Sequence, residues 1–168
     1  MFQIIILNLL LTLAYLAAAQ NPVPQSNGDC PVGYTSSGDY CKPINQERAN
    51  NSDVIEKRGV NCPPGYWRSG SGHCKQAWNS DTKAMTRSGT NCPTGYHRSG
   101  EYCKPIYSSK PRDHYAIEKV GNKCPTGFRA KGDYCERMWK SSSEALPRKS
   151  GSTCPSGYRS KGDYCVKF

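Results

Sequence analysis

The sequence has very few large apolar residues after its first 19 positions. Leu, Ile, Val and Phe account for only 13 of the 149 residues from Gln20 to Phe168. A charged chain this poor in such residues stays disordered unless something else holds it. The same stretch has no apolar run longer than three residues, whereas a membrane-spanning helix needs about 20. The composition therefore excludes a spanning helix after Gln20 and argues against a conventional core.

The sequence is equally poor in groups that carry chemistry. Its three histidines, His73, His97 and His114, stand in different sequence contexts, so no catalytic or ligand site recurs. We expect each to be an exposed or a packing side chain. No two cysteines have the spacing of two to four residues that structural zinc sites favour. The sequence thus predicts no enzyme, no metal site and no cofactor.

The first 19 residues are, by contrast, strongly apolar. The run from 2 to 19 is interrupted only by Gln3, Asn8 and Thr12, and it ends in three alanines before Gln20. An apolar segment followed by small residues is typical of a secretory signal peptide. We predict cleavage after Ala19 and a secreted, extracellular protein. An uncleaved anchor is the alternative.

Ten cysteines follow, arranged in five copies of one motif. The copies are CPVGYTSSGDYC, CPPGYWRSGSGHC, CPTGYHRSGEYC, CPTGFRAKGDYC and CPSGYRSKGDYC. An even number of cysteines behind a signal peptide indicates disulfides formed in an oxidising compartment. The most local pairing joins the two cysteines of each copy: Cys30 with Cys41, Cys62 with Cys74, Cys92 with Cys103, Cys124 with Cys135, and Cys154 with Cys165. Pairing between neighbouring copies is the alternative.

Each copy reads as a β-hairpin. Ser36-Ser37-Gly38 suits a three-residue loop in which the glycine forms a bulge. In that register Tyr34 would lie opposite Tyr40 on one face of the hairpin, and His73 would break the equivalent pair in the second copy. A lone two-stranded hairpin is marginal in water, so a disulfide worth about 3 kcal/mol would stabilise it.

Similarity extends into the spacers between the motifs. An apolar residue precedes the first cysteine by seven or eight positions in every copy: Val23, Ile55, Met85, Ile117 and Leu146. A glycine stands three residues before that cysteine in four copies. Three positions after the second cysteine come Ile44, Ala77, Ile106, Met138 and Phe168, followed in three copies by Trp78, Tyr107 or Trp139.

These repeats divide the chain into consecutive segments. We predict a signal peptide over 1–19, an N-terminal segment with repeat 1 over 20–53, repeat 2 over 54–83, repeat 3 over 84–115, repeat 4 over 116–144 and repeat 5 over 145–168. The predicted fold is all-β: five small disulfide-stapled hairpins, as separate beads on polar spacers or as a short solenoid. The low apolar content favours beads.

The motif resembles that of uncharacterised secreted repeat proteins, found mostly in bacteria, with a Cys-Pro-x-Gly-Tyr-x-x-Ser-Gly-x-Tyr-Cys box. The segment from Cys92 to Cys103 matches this box throughout, and 116–121 matches the Ala-Ile-x-Lys-x-Gly element that precedes it in those proteins. The resemblance implies secretion and a repeat architecture, and it transfers no catalytic residue. EGF-like modules share Cys-Pro-x-Gly-Tyr but need six cysteines each.

The net charge of +10 suggests an anionic partner. Basic and aromatic residues alternate in the first strand of the hairpins, a pattern that can grip an anionic polymer. The candidate binding residues are Trp67, Arg68, Tyr96, Arg98, Arg129, Tyr158 and Arg159. The expected partner outside a cell is an anionic polysaccharide, matrix or surface polymer rather than genomic nucleic acid. A solvated surface that keeps the chain soluble is the plain alternative.

Two further functions stay open at this point. The charge and the disulfides also fit a cationic host-defence or toxin-like protein that disturbs membranes, although no segment has an amphipathic helical face. Self-association in a structural role would show the same composition. Asn50, in Asn50-Asn51-Ser52, is a candidate N-glycosylation site. The acidic residues beside the turn glycines, Asp39, Glu101, Asp133 and Asp163, are one per copy, too few for calcium.

Overall fold

The computed structural model describes residues 21–45, 53–80, 82–107, 115–139, 142–149 and 151–168. These residues form fifteen short strands and no helix. They are arranged as five three-stranded antiparallel sheets, one for each repeat. The prediction of an all-β array of five stapled hairpins is confirmed.

We name the three strands of each sheet inner, middle and outer, by their order across the sheet. The inner strands are β1 (Val23–Pro24), β4 (Val54–Glu56), β7 (Met85–Thr86), β10 (Ala116–Glu118) and β13 (Ala145–Pro147). The outer strands are β2 (Tyr34–Ser37), β5 (Tyr66–Ser69), β8 (Tyr96–Ser99), β11 (Phe128–Lys131) and β14 (Tyr158–Lys161). Between them lie the middle strands β3 (Tyr40–Pro43), β6 (His73–Gln76), β9 (Tyr102–Pro105), β12 (Tyr134–Arg137) and β15 (Tyr164–Lys167).

The inner strand of each sheet was not predicted from the sequence. Its signal was the apolar residue at nearly constant distance from the first cysteine. That residue pairs with the second cysteine of its own repeat in all five sheets: Val23 with Cys41, Ile55 with Cys74, Met85 with Cys103, Ile117 with Cys135 and Leu146 with Cys165. The second cysteine of each disulfide therefore lies at the centre of its sheet.

Disulfide pairing follows the most local of the predicted alternatives. All five bridges lie within a repeat, with a Cα–Cα distance of 5.5 or 5.6 Å. No free cysteine occurs in the described part of the chain. Five disulfides in a chain of this size are typical of extracellular proteins.

The predicted hairpin register is wrong. Ser37 pairs with Tyr40 and Tyr34 pairs with Pro43, so Gly38 and Asp39 alone form the turn. Of these two, only Gly38 has a positive φ, +61°, the sign pattern of a two-residue type II′ turn, whose twist matches that of the flanking strands. Because side chains alternate along a strand, Tyr34 and Tyr40 lie on opposite faces of the sheet.

Those two faces contact different neighbours. Tyr34 clusters with Cys41 and with Val54 of repeat 2, whereas Tyr40 clusters with Leu146, Tyr158 and Cys165 of repeat 5. A third cluster joins Ile117, Phe128 and Cys135 of repeat 4 to residues of repeat 5. The apolar clusters lie between sheets, so no single repeat contains a core of its own.

Stacking continues around the array and closes it. The tyrosine that opens a middle strand places its hydroxyl beside the second cysteine of the preceding repeat. The serial contacts are Tyr102 with Cys74 at 3.6 Å, Tyr134 with Cys103 at 3.5 Å and Tyr164 with Cys135 at 3.3 Å. Tyr40 of repeat 1 makes the equivalent contact with Cys165 of repeat 5 at 3.7 Å.

Repeat 2 keeps this arrangement with a histidine. His73 takes the tyrosine's place and is 1% exposed, and its Nε2 lies 2.9 Å from the carbonyl oxygen of Pro24 in repeat 1. The buried Nδ1 of His73 has no hydrogen-bond partner within the described residues. His73 is thus a packing residue, as predicted, at the interface of repeats 1 and 2.

The sheets therefore form a closed ring of five stacked repeats, not a row of separate beads. Inner strands contact each other across the repeats, β1 with β4, β4 with β7 and β10 with β13, while the outer strands form the rim. Repetition around an axis leaves only short outer edges exposed. The sequence did not predict this closure.

Candidate functional site

The rim of the ring carries most of the predicted binding residues. Arg68, Arg98, Arg129 and Arg159 all lie on outer strands and are exposed. Arg68 and Arg98 stand opposite the second cysteines of their sheets, whereas Arg129 and Arg159 stand one residue earlier in the strand. Because side chains alternate along a strand, Arg68 and Arg98 lie on one face of their sheets. Arg129 and Arg159 lie on the opposite face.

The predicted aromatic partners are less uniform. Trp67, beside Arg68, is 46% exposed, and Tyr96 is half-buried. Tyr158 is only 8% exposed, and its hydroxyl donates to the Oδ1 of Asn21 at 2.8 Å. Tyr158 thus packs in the interface between repeats 5 and 1, and Trp67 is the most exposed of the three.

One acidic residue neutralises part of the rim. Glu136 lies 3.5 Å from the Arg129 guanidinium and 3.8 Å from the Lys131 ammonium. Its Oε1 also accepts the backbone N–H and the hydroxyl of Thr94 in repeat 3, at 2.8 and 2.7 Å. Burial raises the pKa of Glu136, but the Thr94 hydrogen bonds and the two cations outweigh that effect and lower the pKa overall.

Repeat 1 interrupts the basic rim. Its outer strand reads Tyr34-Thr35-Ser36-Ser37, with no charged residue at any position. The outer strands of repeats 2 to 5 each contain at least one arginine. The exposed cations of the outer strands therefore form an arc over four consecutive repeats, which we name the basic rim: Arg68, Arg98, Arg129, Lys131, Arg159 and Lys161.

A second group of polar residues lies where outer strands and inner strands begin. Tyr66 donates from its hydroxyl to the Oδ2 of Asp53 at 2.8 Å and accepts the N–H of Ala84 at 2.9 Å. Burial raises the pKa of Asp53, against the lowering effect of Tyr66 and Lys83. Burial, reinforced by Asp53, also raises the pKa of Tyr34 to about 12.

No sequence pattern marks this group, because its members do not share a residue type. Asp53 stands two residues before Ile55, at the position held by Asn21, Lys83 and Tyr115 in other repeats. The guanidinium carbon of Arg137 lies 4.2 Å from the ring centre of Tyr115. That contact lies within one sheet, whereas the Tyr66–Ala84 hydrogen bond and the bond from the Tyr115 hydroxyl to the carbonyl oxygen of Ala145 at 2.9 Å join neighbouring repeats at this end of the ring.

Apolar residues that the sequence assigned to the repeat are exposed. Ile44, Ile106, Met138 and Phe168, each directly after a middle strand, are between 44% and 78% exposed. The aromatic residues beside three of these apolar positions are exposed as well: Trp78, Tyr107 and Trp139. Their recurrence is evident from the sequence, whereas their position on the surface was not predicted.

The remaining predicted residues have simple placements. His97 is exposed, and Asp39, Glu101, Asp133 and Asp163 lie in separate hairpin turns. Asn50 and His114 lie outside the described residues. No group of three potential metal ligands occurs among the residues that the structure describes. Within the same ranges, no helix is long and apolar enough to cross a membrane.

Comparison of the chain with protein-family models, with curated proteins and with solved structures finds no match. The function must therefore be inferred from the ring itself, from its basic rim and its exposed apolar residues.

Proposed function

We propose that this protein is a secreted, non-enzymatic binding protein that engages anionic extracellular polymers through its basic rim. The observation that carries the proposal is the exposure of an arginine on the outer strand of each of four consecutive repeats. Guanidinium groups bind sulfate and carboxylate groups through paired hydrogen bonds. A polymer that follows the rim would meet one such group after another.

Ring closure supports multivalent binding. Because the repeats are held in a fixed order around one axis, contact at one repeat places the next arginine near the same polymer. Weak contacts then add through effective concentration, without a deep pocket at any repeat. The leader sequence and the five disulfides support an extracellular location for this encounter.

Protection of the sheet edges is the competing explanation for the same arginines. An outer strand exposes unpaired backbone groups, and charged side chains on such a strand prevent edge-to-edge aggregation. The two explanations predict different failures. Removal of rim charge would weaken polymer binding in the first case and would cause strand-mediated aggregation in the second.

The experiment compares two charge-matched variants of the mature protein. One carries Arg98→Gln and Arg159→Gln on the basic rim. The control carries Lys83→Gln and Lys123→Gln, two exposed positions away from the outer strands. Both lose the same net charge. Binding is measured to immobilised dextran sulfate and polygalacturonate, with neutral dextran as the reference.

We expect the rim variant to lose most of its affinity for both anionic polymers and the control to lose little. Raising the salt from about 50 mM to about 200 mM should weaken wild-type binding steeply, because each ionic contact releases counterions. Equal losses in both variants, or binding insensitive to salt, would contradict the proposal. A rim variant that aggregates without losing affinity would favour edge protection.

A further inference from the structure

The exposed apolar residues that follow the middle strands all lie at one end of the ring, whereas Val60, 82% exposed, follows an inner strand and lies outside this group. The N–H of the residue after each middle strand donates to the glycine carbonyl of the Pro-x-Gly turn, as Ile44 does to Gly33 at 2.9 Å and Ile106 to Gly95 at 2.9 Å. The hairpin turn lies at the opposite end of each sheet. Since every repeat stacks on its neighbour through equivalent residues, these ends point the same way.

We name this surface the aromatic end. It consists of the apolar residues that follow the middle strands, together with the aromatic residues next to three of them. Its members are Ile44, Trp78, Ile106, Tyr107, Met138, Trp139 and Phe168. Trp78 is 96% exposed and Tyr107 79%. Soluble proteins rarely expose so many large apolar side chains together unless the surface binds something.

Lysines accompany these apolar residues in three of the five repeats, whereas Glu136 and Val166 hold the same position in repeats 4 and 5. Lys42, Lys75 and Lys104 stand two residues before Ile44, Ala77 and Ile106 on their middle strands. A lysine here has an apolar stem that can lie along an apolar surface, with its ammonium group at the polar boundary.

Two of these ammonium groups are fixed by neighbouring repeats. Lys42 donates to the Ser156 hydroxyl at 2.8 Å, and Lys75 donates to the Val32 carbonyl oxygen at 3.4 Å. Ser156 and Val32 belong to the Pro-x-Gly turns, which lie at the aromatic end. The aromatic end thus combines exposed Trp and Tyr with positive charge.

The distribution of these residues favours a flat partner over a small one. They come from all five repeats around the ring and do not converge on one pocket. Trp and Tyr are the residues most enriched at the boundary between lipid and water, and anionic head groups are complementary to the lysines.

We propose that the aromatic end docks on the surface of an anionic lipid bilayer. Trp78, Tyr107 and Trp139 enter the interfacial layer, and the lysines contact the head groups. The ring lies on the membrane and does not span it. This function uses the end of the ring, whereas polymer binding uses the rim, so either can fail without the other.

The three tryptophans of the sequence allow a direct test. Trp78 and Trp139 belong to the aromatic end, whereas Trp67 lies on the outer strand β5 of repeat 2. Three variants each retain one tryptophan, with Phe in place of the other two. Each is mixed with phosphatidylcholine vesicles with or without phosphatidylglycerol, and emission is recorded with ordinary and with brominated acyl chains.

Vesicles that contain phosphatidylglycerol should shift the emission of Trp78 and Trp139 to the blue, and brominated chains should quench it. Trp67 pairs across the strands with Lys75, at the boundary of the docked surface, and should show much smaller effects, although the protein that carries it binds the same vesicles. Replacement of the aromatic end by Trp78→Ser and Trp139→Ser should weaken co-sedimentation with vesicles about tenfold. Trp67→Ser, the matched control, should leave it nearly unchanged.

Several outcomes would overturn the proposal. One is failure to bind either kind of vesicle, and another is equal quenching of Trp67. A concentration-dependent shift of Trp78 emission without lipid would identify a second copy of the chain as the occupant. A shift with soluble cello-oligosaccharides in place of vesicles would identify a glycan.

Discussion

The Tyr40 hydroxyl lies 3.7 Å from the Sγ of Cys165, although 125 residues separate them along the chain. The same hydroxyl is 3.5 Å from the carbonyl oxygen of Pro147. Tyr102, Tyr134 and Tyr164 each make the same contact with the second cysteine of the preceding repeat. Tyr40 makes it between the first repeat and the last. It is the relationship that makes the array a ring.

Ring closure predicts that Tyr40 is as important for stability as a tyrosine within the array. Tyr40 and Tyr134 are 0% and 2% exposed, so Tyr40→Ala and Tyr134→Ala should each lower the free energy of unfolding by about 3–5 kcal/mol. Guanidinium unfolding measured by circular dichroism gives both values. An array open between repeats 5 and 1 would lose little on Tyr40→Ala, and that result would contradict the closure.

The hydroxyl groups of the interface tyrosines should contribute to the free energy of unfolding separately from their rings. The Tyr164 hydroxyl accepts the N–H of Val120 at 2.8 Å and donates to its carbonyl oxygen at 3.2 Å. Tyr164→Phe keeps the ring but leaves both backbone groups without this partner, which should cost about 1–3 kcal/mol. Tyr107→Phe, on the surface, should change the unfolding free energy by less than about 0.5 kcal/mol. Equal effects would mean that the hydroxyl of Tyr164 contributes nothing.

Gly121, three residues before the first cysteine of repeat 4, should be required for close packing between repeats 4 and 5. Gly121 has a φ of +66°, and a Cβ there would lie 2.5 Å from the Oδ2 of Asp163 in the next repeat. Gly151, the equivalent glycine of repeat 5, has a φ of +75° with open space around it. Both substitutions to Ala place a Cβ at a positive φ in the same turn, so their difference isolates the clash. Gly121→Ala should lower the unfolding midpoint more than Gly151→Ala, and the opposite order would show that Asp163 moves aside freely.

Local features of this fold could be predicted from the sequence, because short-range chemistry decides them. The disulfide from Cys92 to Cys103 closes the shortest loop available, and the repeated turn residues mark a hairpin. The predicted register is wrong because Gly38 begins the turn, whereas the prediction placed it at the end of the loop. The same residues permit both types of turn. The third strand of each sheet was not predicted, because a strand of two or three residues has too little periodicity to be identified, and the constant spacing of Ile117 and its equivalents was its only trace.

Ring closure could not be predicted in this way, and neither could the exposure of individual side chains. Whether repeats 1 and 5 meet depends on the rotation between successive sheets, which arises from packing of side chains such as Tyr40 and Leu146 across interfaces. Likewise Tyr96 and Tyr158 hold equivalent positions in their repeats, but only the packing decides that Tyr158 is buried and Tyr96 half-buried. The site residues were therefore recognisable by type and not by exposure.

Alkaline pH should unfold the protein as the buried tyrosines ionise. Burial, aided by the carboxylates Asp53 and Glu144 respectively, raises the pKa values of Tyr34 and Tyr115 to about 12, whereas an unfolded tyrosine ionises near 10. Below pH 10 neither state ionises and the full stability is present. Between about pH 10 and 12 only the unfolded state loses its protons, so the unfolding free energy must fall as pH rises. Guanidinium midpoints across this range, with tyrosinate absorbance recorded in parallel, should fall steadily, and Tyr34→Phe should reduce the slope. A constant midpoint, with all tyrosines ionising near pH 10, would contradict their burial.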